Sequence, residues 1–126
     1  MIDINLVKKL QELAIKFNIT DLKLICKDVD GKMLFLEIGN SNAELTHIIE
    51  RHWNPKELIK YFNSQDEMIE KIFNTLKNGK YIAKEIVLKN GRESFEYTYK
   101  MNVIGGEKLF KFAIGSNGFI ITFYLQ

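Results

Sequence analysis

Four stretches rich in β-branched and aromatic residues fill the C-terminal part of the chain, each cut from the next by a glycine turn. They are Tyr81–Leu88, Ser94–Val103, Lys108–Ile114 and Phe119–Leu125, separated by Asn90-Gly91, Gly105-Gly106 and Ser116-Asn117-Gly118. Turns this short join antiparallel neighbours only, because a parallel partner needs a crossover of a dozen or more residues. The pattern predicts a four-stranded meander with no helix inserted.

The residues before the meander have a different period. Apolar residues at Ile4, Leu6, Val7, Leu10, Leu13, Ala14 and Phe17 recur three or four apart, which predicts an amphipathic helix from Asp3, its N-cap, to Phe17. Leu22, Leu24 and Cys26 alternate with lysines and lead through Asp30-Gly31 into Met33–Ile38, a hairpin signature. Gly39-Asn40-Ser41-Asn42 offers caps for a helix over about Ala43–His52, and Pro55 suits the first turn of a short helix reaching Tyr61-Phe62. Ser64 and Glu67 have capping-box spacing ahead of the apolar face of Met68, Ile69, Ile72, Phe73 and Leu76, and Asn78-Gly79 ends that helix. The expected architecture is α+β: N-terminal helices and a hairpin packed against a C-terminal four-stranded antiparallel meander.

With 126 residues, 46% of them hydrophobic, the chain can bury one sizeable core, so residues 1–126 read as one domain. No run of eighteen apolar residues is present, which argues against a membrane helix, and residues 1–20 are too interrupted by charge for a signal peptide. The single cysteine, Cys26, excludes an internal disulfide and a multi-cysteine zinc site. A net charge of +2 means that any nucleic-acid site must be a local feature.

The densest chemistry lies in His47-Ile48-Ile49-Glu50-Arg51-His52. At about 100° per residue, an α-helix puts His47, Glu50 and Arg51 on one face and carries His52 about 140° away from His47, either to cap the helix end near Leu45, Ile48 and Ile49 or to swing out as the chain turns towards Trp53-Asn54-Pro55. That separation argues against a shared metal, since helical histidines chelate at i and i+4. On the last strand, the two-residue period assigns Phe119, Ile121, Phe123 and Leu125 to the core, and Ile120, Thr122 and Tyr124 to the other face. The hydroxyls of Thr122 and Tyr124 would then lie about 7 Å apart along the strand, a spacing that suits one phosphate. Trp53, Tyr61, Tyr97 and Tyr99 are candidates for stacking on bases, although Phe95, Tyr97 and Tyr99 at this spacing more often form core. Lys84, Lys89, Arg92 and Lys100 are candidates for phosphate contacts.

Gly39 leading into Leu45-Thr46-His47-Ile48-Ile49-Glu50-Arg51-His52 resembles the "G…L-x-H-I-I-x-R-H" signature of the Barnase–EndoU–colicin–RelE (BECR) superfamily, in its phage and polymorphic-toxin branches. Ile114-Gly115-Ser116-Asn117-Gly118-Phe119-Ile120-Ile121-Thr122-Phe123-Tyr124 resembles the closing phrase of the same domains, and the chain then ends in Leu125-Gln126 where they often carry proline. The resemblance runs from about Leu34 to the C-terminus and leaves the N-terminal helix outside it.

It implies a metal-independent, toxin-type endoribonuclease without cofactor, cutting RNA through attack of a 2′-OH to leave a 2′,3′-cyclic phosphate, with transfer RNA one candidate substrate. His47 and His52 would be catalytic together with Arg51, Thr122 and Tyr124, while Glu50, Trp53, Arg92 and Lys84 would contact substrate. A cognate immunity or antitoxin protein would hold the enzyme inert, and the site of action would be the cytoplasm of the producing or the target bacterial cell, reached in some systems by delivery. The alternative is a catalytically inactive module of the same fold that binds RNA or protein.

Overall fold

The computed structural model describes residues 1–54 and 58–126, and of Lys89 the backbone alone. The fold is α+β: helices and a two-stranded hairpin packed against a four-stranded antiparallel sheet. Among the described residues, no helix is long and apolar enough to cross a membrane. The expected start of a short helix at Pro55 falls outside the described residues; beyond it lies a 3-10 turn, Leu58–Lys60.

Helix α1 spans Ile4–Glu12 and is capped by Asp3, whose carboxylate accepts the Asn5 N–H at 2.8 Å. It stops short of Phe17. Ala14 takes a left-handed conformation (φ 55°), and the N–H groups of Ile15 and Ala14 return to the carbonyls of Leu10 and Gln11. This is a Schellman ending without its usual glycine, and Ile15 folds back on the cluster that holds Leu10. The apolar spacing beyond Glu12 therefore serves a loop, in which Phe17 packs its ring 6.3 Å from that of Phe35.

The hairpin strands β1 (Leu22–Lys27) and β2 (Met33–Glu37) are apolar on both faces, and both faces are used. Leu22, Ile25, Met33 and Phe35 meet Val7 and Leu10 of α1, while Leu24, Cys26, Leu34 and Leu36 join the main core. The hairpin is thus a middle layer, covered by α1 on one side. Its loop is held by Asp28, whose carboxylate accepts the N–H groups of Asp30 at 2.9 Å and Lys32 at 2.8 Å.

The long helix Gln65–Asn78 begins as expected: Ser64 Oγ accepts the Glu67 N–H at 3.0 Å. The reciprocal half of the capping box is displaced by one residue, since the Glu67 carboxylate takes the backbone and side-chain N–H groups of Asn63 instead of the Ser64 N–H. Met68, Ile69, Ile72 and Leu76 are buried in the main core.

Strands β3 (Ala83–Lys89), β4 (Arg92–Val103), β5 (Gly106–Gly115) and β6 (Ile120–Leu125) pair in chain order, as the turns predict. Tyr97, Tyr99, Met101, Phe110, Phe112, Ile114 and Phe123 line the inner face. Tyr97 and Tyr99 are core residues and leave base stacking to others. The alternation expected for the last strand fails at one point. The register slips between Ala113 and Ile114, so that Ala113 opposes Thr122 and Ile114 opposes Ile120. This bulge leaves Ile121 without a register partner and turns Ile120 into the core, fully buried beside Phe123. Thr122 and Tyr124 keep the outer face.

The hairpin is tied to the sheet at the β5–β6 turn. Phe35 N–H donates to the Gly118 carbonyl at 3.0 Å, and Phe35 bridges Phe119 in parallel. A side chain on Gly118 would collide with the Met33 carbonyl.

Candidate active site

The segment carrying the two histidines is not one α-helix. Helix α2 spans Glu44–Ile48 and passes into a π turn over Ile49–Trp53. Its N-cap is Ala43, which has no side chain to cap with, so none of Asn40, Ser41 or Asn42 caps it. Instead the loop closes on itself through reciprocal backbone bonds between Asn40 and Ala43, and Thr46 N–H donates to the Ile38 carbonyl. A π turn places residues i and i+5 one above the other where an α-helix does so for i and i+4. The π turn therefore brings His52 back beside His47 instead of about 140° away from it. Their rings lie 5.6 Å apart, edge to face. Leu45 and Ile48 are the buried residues of the segment.

The second ring of the cluster meets the sheet. His52 stacks on Tyr124 with centroids 5.6 Å apart and planes 28° apart. Tyr124 in turn donates its hydroxyl to Glu96 at 2.5 Å. Tyr124 stands on β6 and Glu96 on β4, so the phenol crosses the intervening β5. The residue of β5 in the row of Glu96 is Ala113, whose methyl leaves room for the ring to lie across.

Register defines the rest of the outer face. One row runs Glu85, Glu96, Ala113, Thr122, and the next runs Ala83, Thr98, Lys111, Tyr124. Glu85 and Glu96 are directly opposed carboxylates, an arrangement that costs roughly 0.2–1 kcal/mol in a sheet. Packing gains nothing from it. The Tyr124 hydroxyl is pushed up to about 12, first by burial, then by the hydrogen bond to Glu96 and the charges of Glu96 and Glu85. Tyr124 is therefore a neutral donor near pH 7 and no general base.

Other expected site residues fall in different places. Thr122 lies on the same face, but its Oγ1 is enclosed and has no partner among the described residues, while the Tyr124 hydroxyl is engaged with Glu96. In this arrangement the two hydroxyls face different surroundings, that of Thr122 enclosed and that of Tyr124 bonded to Glu96. Glu50 and Arg51 are exposed on the π turn, outside the stack of three rings. Trp53 stacks on Phe62 at 6.5 Å and packs half-buried against the main core. Lys84 lies on the inner side of the sheet, its ammonium 4.7 Å from the Phe95 ring and 5.4 Å from that of Tyr97, because its register partner is the core residue Tyr97. Arg92 is exposed where β4 begins, on the rim of an open groove of about 860 Å³ that also touches Ser94, Phe119 and Ile121. No cluster of three or more histidine, cysteine or acidic side chains with metal-binding geometry occurs among the described residues.

The period of β4 places Glu96 on a face but gives it no role. Ser94, Glu96, Thr98 and Lys100 alternate with Phe95, Tyr97, Tyr99 and Met101, so the two-residue period separates a polar face from an aromatic one. That the polar face meets the histidines depends on the meander packing beside α2, which no local pattern encodes.

A second titration lies at the entrance to α2. Glu44 starts the helix with φ 70°, and its carboxylate accepts the Glu37 N–H at 3.0 Å. Burial pushes its carboxyl up to about 7, the Glu37 hydrogen bond pulls the other way, and the Glu37 charge adds to the rise. Because the folded protein holds this proton more tightly than the unfolded chain, stability is greatest below pH about 4.5 for this group and declines as pH rises through about 7. Denaturation free energies across that window should fall by on the order of 1 kcal/mol, after allowance for solvent screening. Glu44→Gln, which keeps the acceptor, should flatten the decline. An unchanged profile in the variant would assign the effect elsewhere.

No protein-family model matches the chain, and no curated protein matches it.

Proposed function

We propose that the protein is a metal-independent endoribonuclease that cleaves RNA by attack of a ribose 2′-OH on the adjacent phosphorus. The observation that carries this reading is the contact chain His47–His52–Tyr124–Glu96, which sets two imidazoles side by side over a polar sheet face. Two groups of a type that titrates near neutral pH supply the base and the acid that such a reaction needs.

The hydrogen bonding of His47 favours the role of base. Its Nδ1 lies 2.9 Å from the Ser41 carbonyl, an oxygen that can only accept. In the neutral ring the proton therefore resides on Nδ1, which leaves the lone pair on Nε2. In the proposed step, Nε2 takes the 2′-OH proton, the O2′–P bond forms, the P–O5′ bond breaks, and His52 protonates the departing O5′. The products are a 2′,3′-cyclic phosphate and a free 5′-OH. Stacking on Tyr124 fixes the plane of His52, and Glu96 fixes Tyr124. Lys111, beside Tyr124 in the sheet, and Arg51, at the edge of the cluster, supply positive charge for the phosphoryl oxygens.

The decisive assay incubates the protein with mixed cellular RNA in excess EDTA and maps the ends of any fragments. Cyclic phosphate ends, with DNA of the same sequence left intact, support the reading. Intact RNA, or cleavage that the chelator abolishes, contradicts it. Transfer RNA as the preferred substrate, and an immunity protein that covers the ring cluster in the producing cell, belong to the same proposal.

Tyr124→Phe separates positioning from packing. The ring still stacks on His52, but the bond to Glu96 is lost, and hydrogen bonds to charged groups are worth about 1.5–3 kcal/mol. The value of kcat should fall about tenfold or more with KM little changed. A fall in thermal stability with unaltered kcat would confine Tyr124 to a structural role.

A further inference from the structure

Two surface grooves meet at the β5–β6 turn. The first holds Arg92, Ser94 and Ile121 and reaches the turn at Ser116 and Asn117. It starts one residue from Thr122 and two residues from Glu96, on the edge of the ring cluster. The second holds Lys9, Lys27 and Lys32 and also reaches Ser116 and Asn117, from the side of α1 and the hairpin loop. From Thr122 to Asn117 the chain covers at most roughly 18 Å, so the near end of the second groove lies within a few nucleotides of Thr122.

Charge is sorted along this path. Among the described residues, no carboxylate lines the second groove. Of the acids adjacent to its lining in sequence, Asp28 accepts the backbone N–H groups of Asp30 and Lys32, Asp30 pairs with Lys80 at 3.9 Å, and Glu12, next to Leu13, is exposed outside the lining. Among the described residues, Glu93 is the one acid on the first groove, opposite Arg92 in charge. In a chain whose net charge is only +2, three lysines in one acid-free groove are a local concentration of positive charge.

We infer that this second groove is an RNA backbone track: phosphates of a substrate strand leaving the ring cluster pass Arg92, cross the turn at Ser116-Asn117 and are held by Lys9, Lys27 and Lys32. The inference rests on the ribonuclease reading and adds its substrate class, an RNA long enough to span both grooves. It also gives α1 a function. By carrying Lys9 and covering the hairpin, the N-terminal helix extends the binding surface beyond the part of the chain that holds the rings.

The test uses the full chain and two substrates, a ribodinucleotide that can occupy only the ring cluster and a mixture of folded transfer RNAs. Binding of the long RNA is measured on a His47→Ala background at several salt concentrations. Each phosphate contact with a single strand contributes about 0.7 to the slope of log K against log salt, so Lys9→Ala, Lys27→Ala and Lys32→Ala together should reduce the slope by about 2. Affinity for long RNA should fall at least tenfold, and cleavage of the dinucleotide by the triple variant with His47 restored should stay within twofold of wild type. Lys32 also faces the Phe95 ring at 4.8 Å, so the Lys9→Ala/Lys27→Ala pair is measured as well and should lose about 1.4 of slope. A control lacking the exposed Lys23 and Lys108 should keep the slope. Equal slopes in wild type and variants, or an equal loss in the control, overturns the track while leaving the nuclease reading intact. Lysine-dependent binding without cleavage of either substrate supports the track and sinks the nuclease. Neither binding nor cleavage in any sample removes both.

Discussion

Replacing His47 with alanine is expected to lower kcat on RNA by about 10²–10⁴-fold, the usual contribution of a positioned general base. The fold should survive, because His47 contributes one hydrogen bond, to the Ser41 carbonyl, and sits outside the buried set of α2. His52→Ala should cost activity in the same range but act on the other limb of the pH profile, since it is the proposed acid. The double variant should be little worse than either single one, because the two groups act in one step. Single-turnover cleavage of an oligoribonucleotide across neutral pH, from mildly acidic to mildly alkaline buffer, measures all three. A His47→Ala protein with wild-type kcat would end the assignment of the base.

The largest structural effect is expected at Gly118. Its φ of +97° is a conformation that side chains rarely take, and a Cβ there would overlap the Met33 carbonyl. The overlap cannot be relieved locally. Gly118 also accepts the Phe35 N–H, so moving it opens the seam between hairpin and sheet. Strain of about 1–3 kcal/mol from the backbone combines with a similar overpacking cost, which puts Gly118→Ala at roughly 3–5 kcal/mol. For a domain of this size that corresponds to a fall of about 10 °C or more in Tm. Gly31 supplies the control: its φ is +83°, but nothing lies within 4 Å of a new Cβ. Gly31→Ala should therefore cost only the backbone part, roughly 1–2 kcal/mol. Equal losses in urea denaturation would mean that the hairpin does not press on this turn.

The architecture is legible because its signals are local. Glycine turns separate the four strands, Asp3 and Ser64 cap their helices, and the aromatic face of β4 repeats every two residues. Departures arise where tertiary context overrides a local period. Ala14 ends α1 in a conformation that alanine does not favour, held by two backbone bonds and the packing of Ile15. The bulge in β6 exchanges Ile120 and Ile121 between core and surface without any glycine or proline within the strand to mark it.

The site is half legible for the same reason. His47, His52 and Tyr124 stand out in the sequence by their motifs, and they do come together. The route differs from the one the helical wheel describes: the π turn, which has no distinctive composition, rotates His52 away from Leu45 and Ile48 and onto Tyr124. Lys84 and Trp53 are suggested by residue type alone; Lys84 faces the Phe95 ring and Trp53 stacks on Phe62. Glu96 and Lys111 escape a motif-based reading because a charge on a strand carries only a register.

Two-dimensional NMR of the labelled protein during titration with a 2′-deoxy dinucleotide, which binds but offers no nucleophile, shows whether the three rings surround one phosphodiester. The ring resonances of His47, His52 and Tyr124 should shift together along one saturation curve, as expected of three groups around a single phosphodiester. Shifts confined to one of the three rings, or to none of them while the ligand binds elsewhere, would contradict that arrangement.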